Sequence, residues 1–156
     1  MRPHTPALLL AAAALVSPAV AQAADCAPVN TTIATSFYLD GCQSPIGLCT
    51  RGTIPTGPLQ GTTQFQVLTL QPGPTATTLL YTGVLTVTNP SGTVTIQDRG
   101  VLDQSTGQFF ELESIVAGTG SFVNASGWLT SQGFDIGTGF SGTLIGAVCK
   151  ADGGSE

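Results

Sequence analysis

Positive charge is scarce in this sequence. Four Lys and Arg stand against nine Asp and Glu in 156 residues, and charged residues are only 8% of the chain. A nucleic-acid surface needs many cations to neutralise phosphates, and docking on anionic lipid needs a cluster of them, so both partners are excluded. So little charge beside 42% hydrophobic residues also excludes a disordered chain. Histidine and methionine occur once each, as His4 and Met1. No apolar run is long enough to span a bilayer.

Both of those single residues fall in what reads as an export signal. Arg2 supplies a basic start, Leu8 to Val16 is a short apolar run, and Ala21-Gln22-Ala23 is a small-x-small cleavage site. Cleavage after Ala23 leaves 133 residues (156 less 23). Asp25 sits immediately before Cys26, where a lipid-attachment site needs a small residue, so no lipid anchor is expected. The mature chain then has no histidine, which excludes a Ser-His-Asp triad, a Cys-His pair and a histidine metal site. Arg51, Arg99 and Lys150 remain against nine carboxylates, a formal charge of −6 (three minus nine). A secreted or periplasmic protein is the expectation.

Four cysteines in an exported chain read as two disulfides, with three possible connectivities. Cys42–Cys49 would close a short loop, and Cys26–Cys149 would tie the first segment of the mature chain to the last. In the chain-entropy picture they contribute about 2 and about 5 kcal/mol. A four-thiolate zinc site is the rival reading, but the paired C-x-x-C knuckles of such sites are missing.

After residue 24 no stretch carries an amphipathic 3.6-residue pattern. Runs of Thr, Val, Ile, Leu and Phe stop at Gly, Pro, Asn or Asp and start again, giving segments at 31–39, 47–54, 59–70, 77–88, 93–102, 108–117, 121–131 and 137–149. QPGP (71–74), NPSG (89–92), DQSTG (103–107) and AGTG (117–120) supply turn chemistry between them. The fold class is therefore all-β, and eight strands with short connections make an antiparallel meander, closed as a barrel or stacked as a sandwich. A single domain over 24–150 is expected, followed by a frayed tail at 151–156.

The central strands allow a register. With NPSG as a turn, Thr88 faces Thr93, Leu85 faces Ile96 and Gly83 faces Asp98. With DQSTG as the next turn, Leu102 faces Gln108, Arg99 faces Glu111 and Asp98 faces Leu112. Leu79, Tyr81, Leu85, Val87, Val94, Ile96, Leu102, Phe110, Leu112 and Val116 then share the core face. Thr82, Thr86, Thr95, Gln97, Arg99, Glu111 and Glu113 share the outer face. Asp98 alone breaks the apolar side.

DRGVLD (98–103), FFELESIVAGTGSF (109–122), NASGWL (124–129) and GTGFSGTLIGAVC (137–149) resemble the allene oxide cyclase and dirigent barrel superfamily. The carrying feature is Gly118-Thr119-Gly120-Ser121-Phe122 followed by Ala125-Ser126-Gly127, and the likeness spans roughly the last half of the chain. The resemblance implies a single closed eight-stranded antiparallel barrel in the calycin style. Plant members include a cyclase of an unsaturated fatty-acid epoxide and proteins that guide coupling of phenolic radicals. Bacterial relatives include cyclases that shape polyketides. No catalytic residue of that family has a counterpart here.

Asp98 is the candidate functional group, since a carboxylate on an apolar wall loses hydration and becomes useful as a general acid or base. Tyr81 shares its face and could orient a polar substituent, and Gly83 opposite would leave space for a ligand. The competing reading is that Asp98 sits near a barrel end and bonds turn amides or a hydroxyl. Leu79, Leu85, Ile96, Phe110 and Leu112 are expected to line the lumen. Glu111 and Glu113 look like a glycosidase pair, yet two residues apart on one strand they cannot flank a bond, and the register puts them in solvent. Trp128 and Phe122 read as buried aromatics. Asn30 and Asn124 open glycosylation sequons, which matter only in a eukaryotic host.

The function expected is binding of a small apolar or aromatic molecule in the lumen, without chemistry, cofactor or metal. An isomerase or cyclase using Asp98 and Tyr81 is the alternative, and a structural envelope protein with a packed lumen is the third. The oligomeric state stays open.

Overall fold

The computed structural model describes residues 25–150, so the expected export signal and the C-terminal tail lie outside the described residues. Eight strands follow in chain order: β1 (Asp25–Tyr38), β2 (Cys49–Ile54), β3 (Gly61–Pro72), β4 (Thr78–Asn89), β5 (Gly92–Asp103), β6 (Gln108–Gly118), β7 (Ser126–Asp135) and β8 (Phe140–Lys150). Each pairs antiparallel with its neighbours, and β1 pairs with β8, so the sheet closes as a barrel and leaves no free edge. The all-β barrel expected from the sequence is the fold.

Both favoured disulfides are present. Cys26–Cys149 lies across the closing β1–β8 pair, and Cys42–Cys49 ties the β1–β2 connection to the start of β2. Two disulfides place the protein in an oxidising environment, extracellular or periplasmic. β1 begins six residues earlier than the sequence pattern predicts, because Asp25 to Asn30 pair with Ile145 to Lys150 rather than forming a lead-in. The segment expected as a strand from residue 121 instead opens with a 3-10 turn (Gly120–Phe122), and β7 starts only at Ser126.

The two ends of the barrel differ. At one end Leu59, Phe122, Ile54, Val29, Val87, Val94 and Val148 are all buried in one apolar cluster. Leu59 comes from the β2–β3 connection and Phe122 from the 3-10 turn, so two loop residues plug that end. The other end carries the β1–β2, β3–β4, β5–β6 and β7–β8 connections, and there the interior is hollow.

The β4–β5 register is as read from the sequence: Thr88 faces Thr93, Leu85 faces Ile96 and Gly83 faces Asp98. The β5–β6 register is not. Leu102 faces Phe109, Gly100 faces Glu111, Arg99 faces Leu112 and Asp98 faces Glu113, one residue away from the expected pairing. The cause is the turn. Asp103 stays in β5 and organises a four-residue connection, its carbonyl accepting from the Thr106 and Gly107 amides and its carboxylate from the Ser105 amide and hydroxyl. Gly107 takes a positive φ of 74°, which glycine adopts without strain. The sequence reading made the loop five residues long.

In a strand a one-residue slip turns every side chain to the opposite face. Phe110, Leu112 and Val116, expected in the core, are 41%, 53% and 48% exposed on the outer wall. Glu113, expected outside, is buried, and Glu111 turns inward with it. The expected Arg99–Glu111 pair therefore does not exist, since the two side chains lie on opposite sides of the sheet. A bulge in β6 resets the register before the far end: Ile96 faces Ile115 but Thr95 faces Ala117, leaving Val116 as the extra residue.

Candidate functional site

Four consecutive strands of the wall bring five polar side chains to one place in the lumen. Tyr81 comes from β4, Asp98 from β5, Glu111 and Glu113 from β6, and Ser131 from β7. Asp98 and Glu113 are direct cross-strand partners, and so are Glu111 and Ser131. The Tyr81 hydroxyl donates to Glu111 Oε1 at 2.7 Å, and the Ser131 hydroxyl donates to Glu111 Oε2. One oxygen of each of the three carboxyl groups lies within 4.8 Å of the others.

Two of these groups are left with unmet hydrogen-bonding capacity. Asp98 is 3% exposed and Glu113 is 2% exposed, yet Asp98 Oδ1 and Glu113 Oε2 have no hydrogen-bond partner. Buried polar atoms in native proteins are nearly always paired, so two orphans side by side require an explanation. Among the described residues no cation relieves them: Arg51, Arg99 and Lys150 are exposed, with Arg51 stacked over Tyr38 and Lys150 over Phe122.

Burial therefore governs the protonation of the cluster. Loss of hydration, reinforced by the neighbouring charges of Glu111 and Glu113, pushes Asp98 up to about 10. Glu113 is pushed up to about 8 by burial and by Glu111. Glu111 is also raised by burial, but the Ser131 and Tyr81 hydroxyls oppose the rise by stabilising its charged form. Of the three, Glu111 is thus the member best able to hold a negative charge, while Asp98 and Glu113 carry protons at neutral pH. Burial and the adjacent Glu111 push the Tyr81 phenol upward, so it remains a donor.

The cluster borders a cavity of about 110 Å³ in the hollow half of the barrel. That is several times the ~10–15 Å³ needed for one water. Its remaining wall is almost wholly apolar, with Ile33, Leu48, Val67, Leu79, Leu85 and Leu102 among its residues. Thr35, Thr50 and several aromatic rings complete it: Phe65 meets Tyr81 edge-on at 6.4 Å, and Phe109 meets Phe140 edge-on at 5.5 Å. Leu70, which also borders the cavity, is 43% exposed, so the space lies next to solvent at the hollow end.

Two glycines let the rings take these positions. A Cβ on Gly100 would lie 2.1 Å from Tyr81 Cζ, and one on Gly83 would lie 2.2 Å from Phe65 Cζ. The space left by Gly83 opposite Asp98 is thus filled by the Phe65 ring, not held open for a ligand as the sequence suggested.

Of the residues singled out in the sequence, Asp98 and Tyr81 do meet in the lumen, and Leu79 and Leu85 line it. Ile96 points inward but is fully buried in the packed half and does not border the cavity. Phe110 and Leu112 are on the outer wall for the register reason given above. Trp128 is likewise outside and 76% exposed, whereas Phe122 is buried as expected. The sequence reading missed Glu111, Glu113, Ser131, Phe65, Phe109 and Phe140 as site residues. The available signal was Phe109-Phe110, which supplies an aromatic to either face, so that either β6 register buries a ring.

As a metal centre the cluster offers three carboxylates, a phenol and a serine hydroxyl. A calcium ion takes six to eight oxygens and magnesium usually keeps several waters. The rest of the wall adds only the Thr35 and Thr50 hydroxyls to otherwise apolar side chains. Comparison with protein-family models, with curated proteins and with solved structures gives no match, so the chemistry of the site rests on its own residues.

Proposed function

We propose that the lumen binds one small, largely apolar or aromatic molecule that carries a polar group, and holds it without chemistry. The observation that carries this reading is the division of the interior: one half packed solid, the other an apolar cavity beside unpartnered carboxyl oxygens. A site of this kind, apolar walls with a few convergent polar groups, is the usual form of a small-molecule pocket. The same cavity disfavours the third expectation, a structural barrel with its lumen packed shut. Export, read from the first 23 residues, is part of the proposal and agrees with the two disulfides.

The test is native mass spectrometry of the purified protein, followed by calorimetric titration with benzyl alcohol as a neutral aromatic probe. Saturable binding of one molecule is expected. Leu79→Trp, which fills the cavity from its wall, should abolish that binding while leaving the far-ultraviolet circular dichroism of the barrel intact. No binding to the wild-type protein by either method would overturn the proposal.

A second reading has its own observation. Asp98 and Glu113 held protonated beside Glu111, the stronger carboxylate, form an acid and a base in one water-poor site, the arrangement proton-transfer enzymes use. An isomerase or cyclase of the kind the sequence resemblance implies would use Asp98 as the acid, with Tyr81 orienting the substrate. An Asp98→Asn protein that folds normally and keeps full turnover of such a substrate would rule this out.

A further inference from the structure

We propose that the polar group this lumen is built to hold is a primary ammonium, so that the ligand is a small aromatic or apolar amine. The inference rests on the lumen-binding reading above and names the chemistry of its ligand. Three features of the site converge on it.

The first is number and spacing. A primary ammonium has three N–H donors and no acceptor, and it meets three acceptors here, from Asp98, Glu111 and Glu113. A nitrogen about 2.8 Å from three oxygens in tetrahedral directions holds them about 4.6 Å apart. The three carboxyl groups each present an oxygen within 4.8 Å of the others. Two of those groups, Asp98 and Glu113, are buried and have unpartnered oxygens in the cavity wall, the acceptors an ammonium would satisfy.

The second is charge. Among the described residues, every titratable group facing the cluster is acidic: Tyr81 from β4, Asp98 from β5, Glu111 and Glu113 from β6. Loss of one proton from the cluster, with Glu111 the anion best supported by hydroxyl donors, would balance a single ammonium charge while two neutral carboxyl groups accept through their carbonyl oxygens. An anionic ligand would meet only repulsion.

The third is the remainder of the wall. Leu, Ile and Val side chains with Phe65, Phe109 and Phe140 suit a hydrocarbon or aromatic body, and ring faces attract a neighbouring ammonium. A bare divalent ion would use the carboxylates and leave this apolar surface without purpose.

The test uses the full mature protein at pH 7 and calorimetric titration with three probes: benzylamine, benzyl alcohol of nearly the same size, and calcium or manganese chloride. Benzylamine is expected to bind at least tenfold more tightly than benzyl alcohol. Glu111→Gln should lower benzylamine affinity at least tenfold, and by more than it lowers benzyl alcohol affinity, because the amide cannot supply the negative charge an ammonium pairs with. If that variant fails to fold, the wild-type probe series decides, since it needs no variant. Equal affinity for amine and alcohol would overturn the ammonium proposal and leave lumen binding standing. Binding of neither would overturn both. Tight metal binding that benzylamine does not displace would overturn the ammonium proposal in favour of a metal site.

Discussion

Asp98 on β5 and Glu113 on β6 face each other directly across adjacent strands, both inside the barrel, with one oxygen of each left unpartnered. Two acids in this relation cannot both ionise without severe repulsion, so the folded barrel holds protons that an unfolded chain would release. Ordinary side-chain pairing avoids this arrangement. Its presence at the acidic spot of a largely apolar cavity marks the site, because violations of local rules concentrate where function requires them.

The first consequence is a dependence of stability on pH. Asp98 and Glu113 titrate at about 10 and about 8 when folded, against 3.8 and 4.5 in the free side chains. Between those limits the folded state binds more protons than the unfolded state, so stability falls as pH rises. From these two groups thermal unfolding should have its highest midpoint at or below about pH 4 and decline as pH rises to about 10. Asp98→Asn should flatten the decline and raise the midpoint at pH 8. A midpoint that rises with pH over this range would contradict the buried protonated cluster.

The Tyr81–Glu111 hydrogen bond should carry measurable weight. Tyr81→Phe removes a donor from a carboxylate that has only one other, and bonds to charged groups are worth about 1.5–3 kcal/mol. Urea unfolding at pH 7 should show a loss of that order, with Glu111 becoming easier to protonate. An unchanged midpoint would mean that Glu111 does not depend on Tyr81.

Gly100 should be intolerant of a side chain for a reason that lies in Tyr81. The added methyl group of Gly100→Ala would overlap the Tyr81 ring, and overpacking of this kind costs about 1–3 kcal/mol. In a Tyr81→Leu background the same substitution should cost much less, a coupling that a double-mutant cycle would measure. Additive losses would place the strain elsewhere.

The disulfides should differ in weight. Cys26–Cys149 joins residues 123 apart and Cys42–Cys49 residues 7 apart. Chain-entropy arguments then give about 5 kcal/mol for the first and about 2 for the second. Denaturant unfolding of Cys26→Ser/Cys149→Ser and Cys42→Ser/Cys49→Ser proteins should preserve that order. The reverse order would show that the seam between β1 and β8 holds without its covalent tie.

Much of this protein was legible in the sequence alone. Runs of β-branched residues broken by turn residues determined eight strands, and the NPSG turn determined the β4–β5 register, because Asn89 and Gly92 leave only two residues between the strands. The even cysteine count and their positions supported both disulfides. Asp98 and Tyr81 could be placed together because they sit on the two strands whose register was right.

Only the tertiary structure decided what stands beside them. Hydrophobicity alone favoured Phe110, Leu112 and Val116 inside, and the true register places Phe109, Glu111, Glu113 and Ile115 there instead. The choice is made by Asp103, whose carboxylate and carbonyl fix the length of the β5–β6 turn, and by closure of the barrel, which must satisfy β7 on the other side of β6. With a side-chain period of two, that single residue of loop length separates a barrel with two solvated glutamates from one with an acid cluster in its lumen.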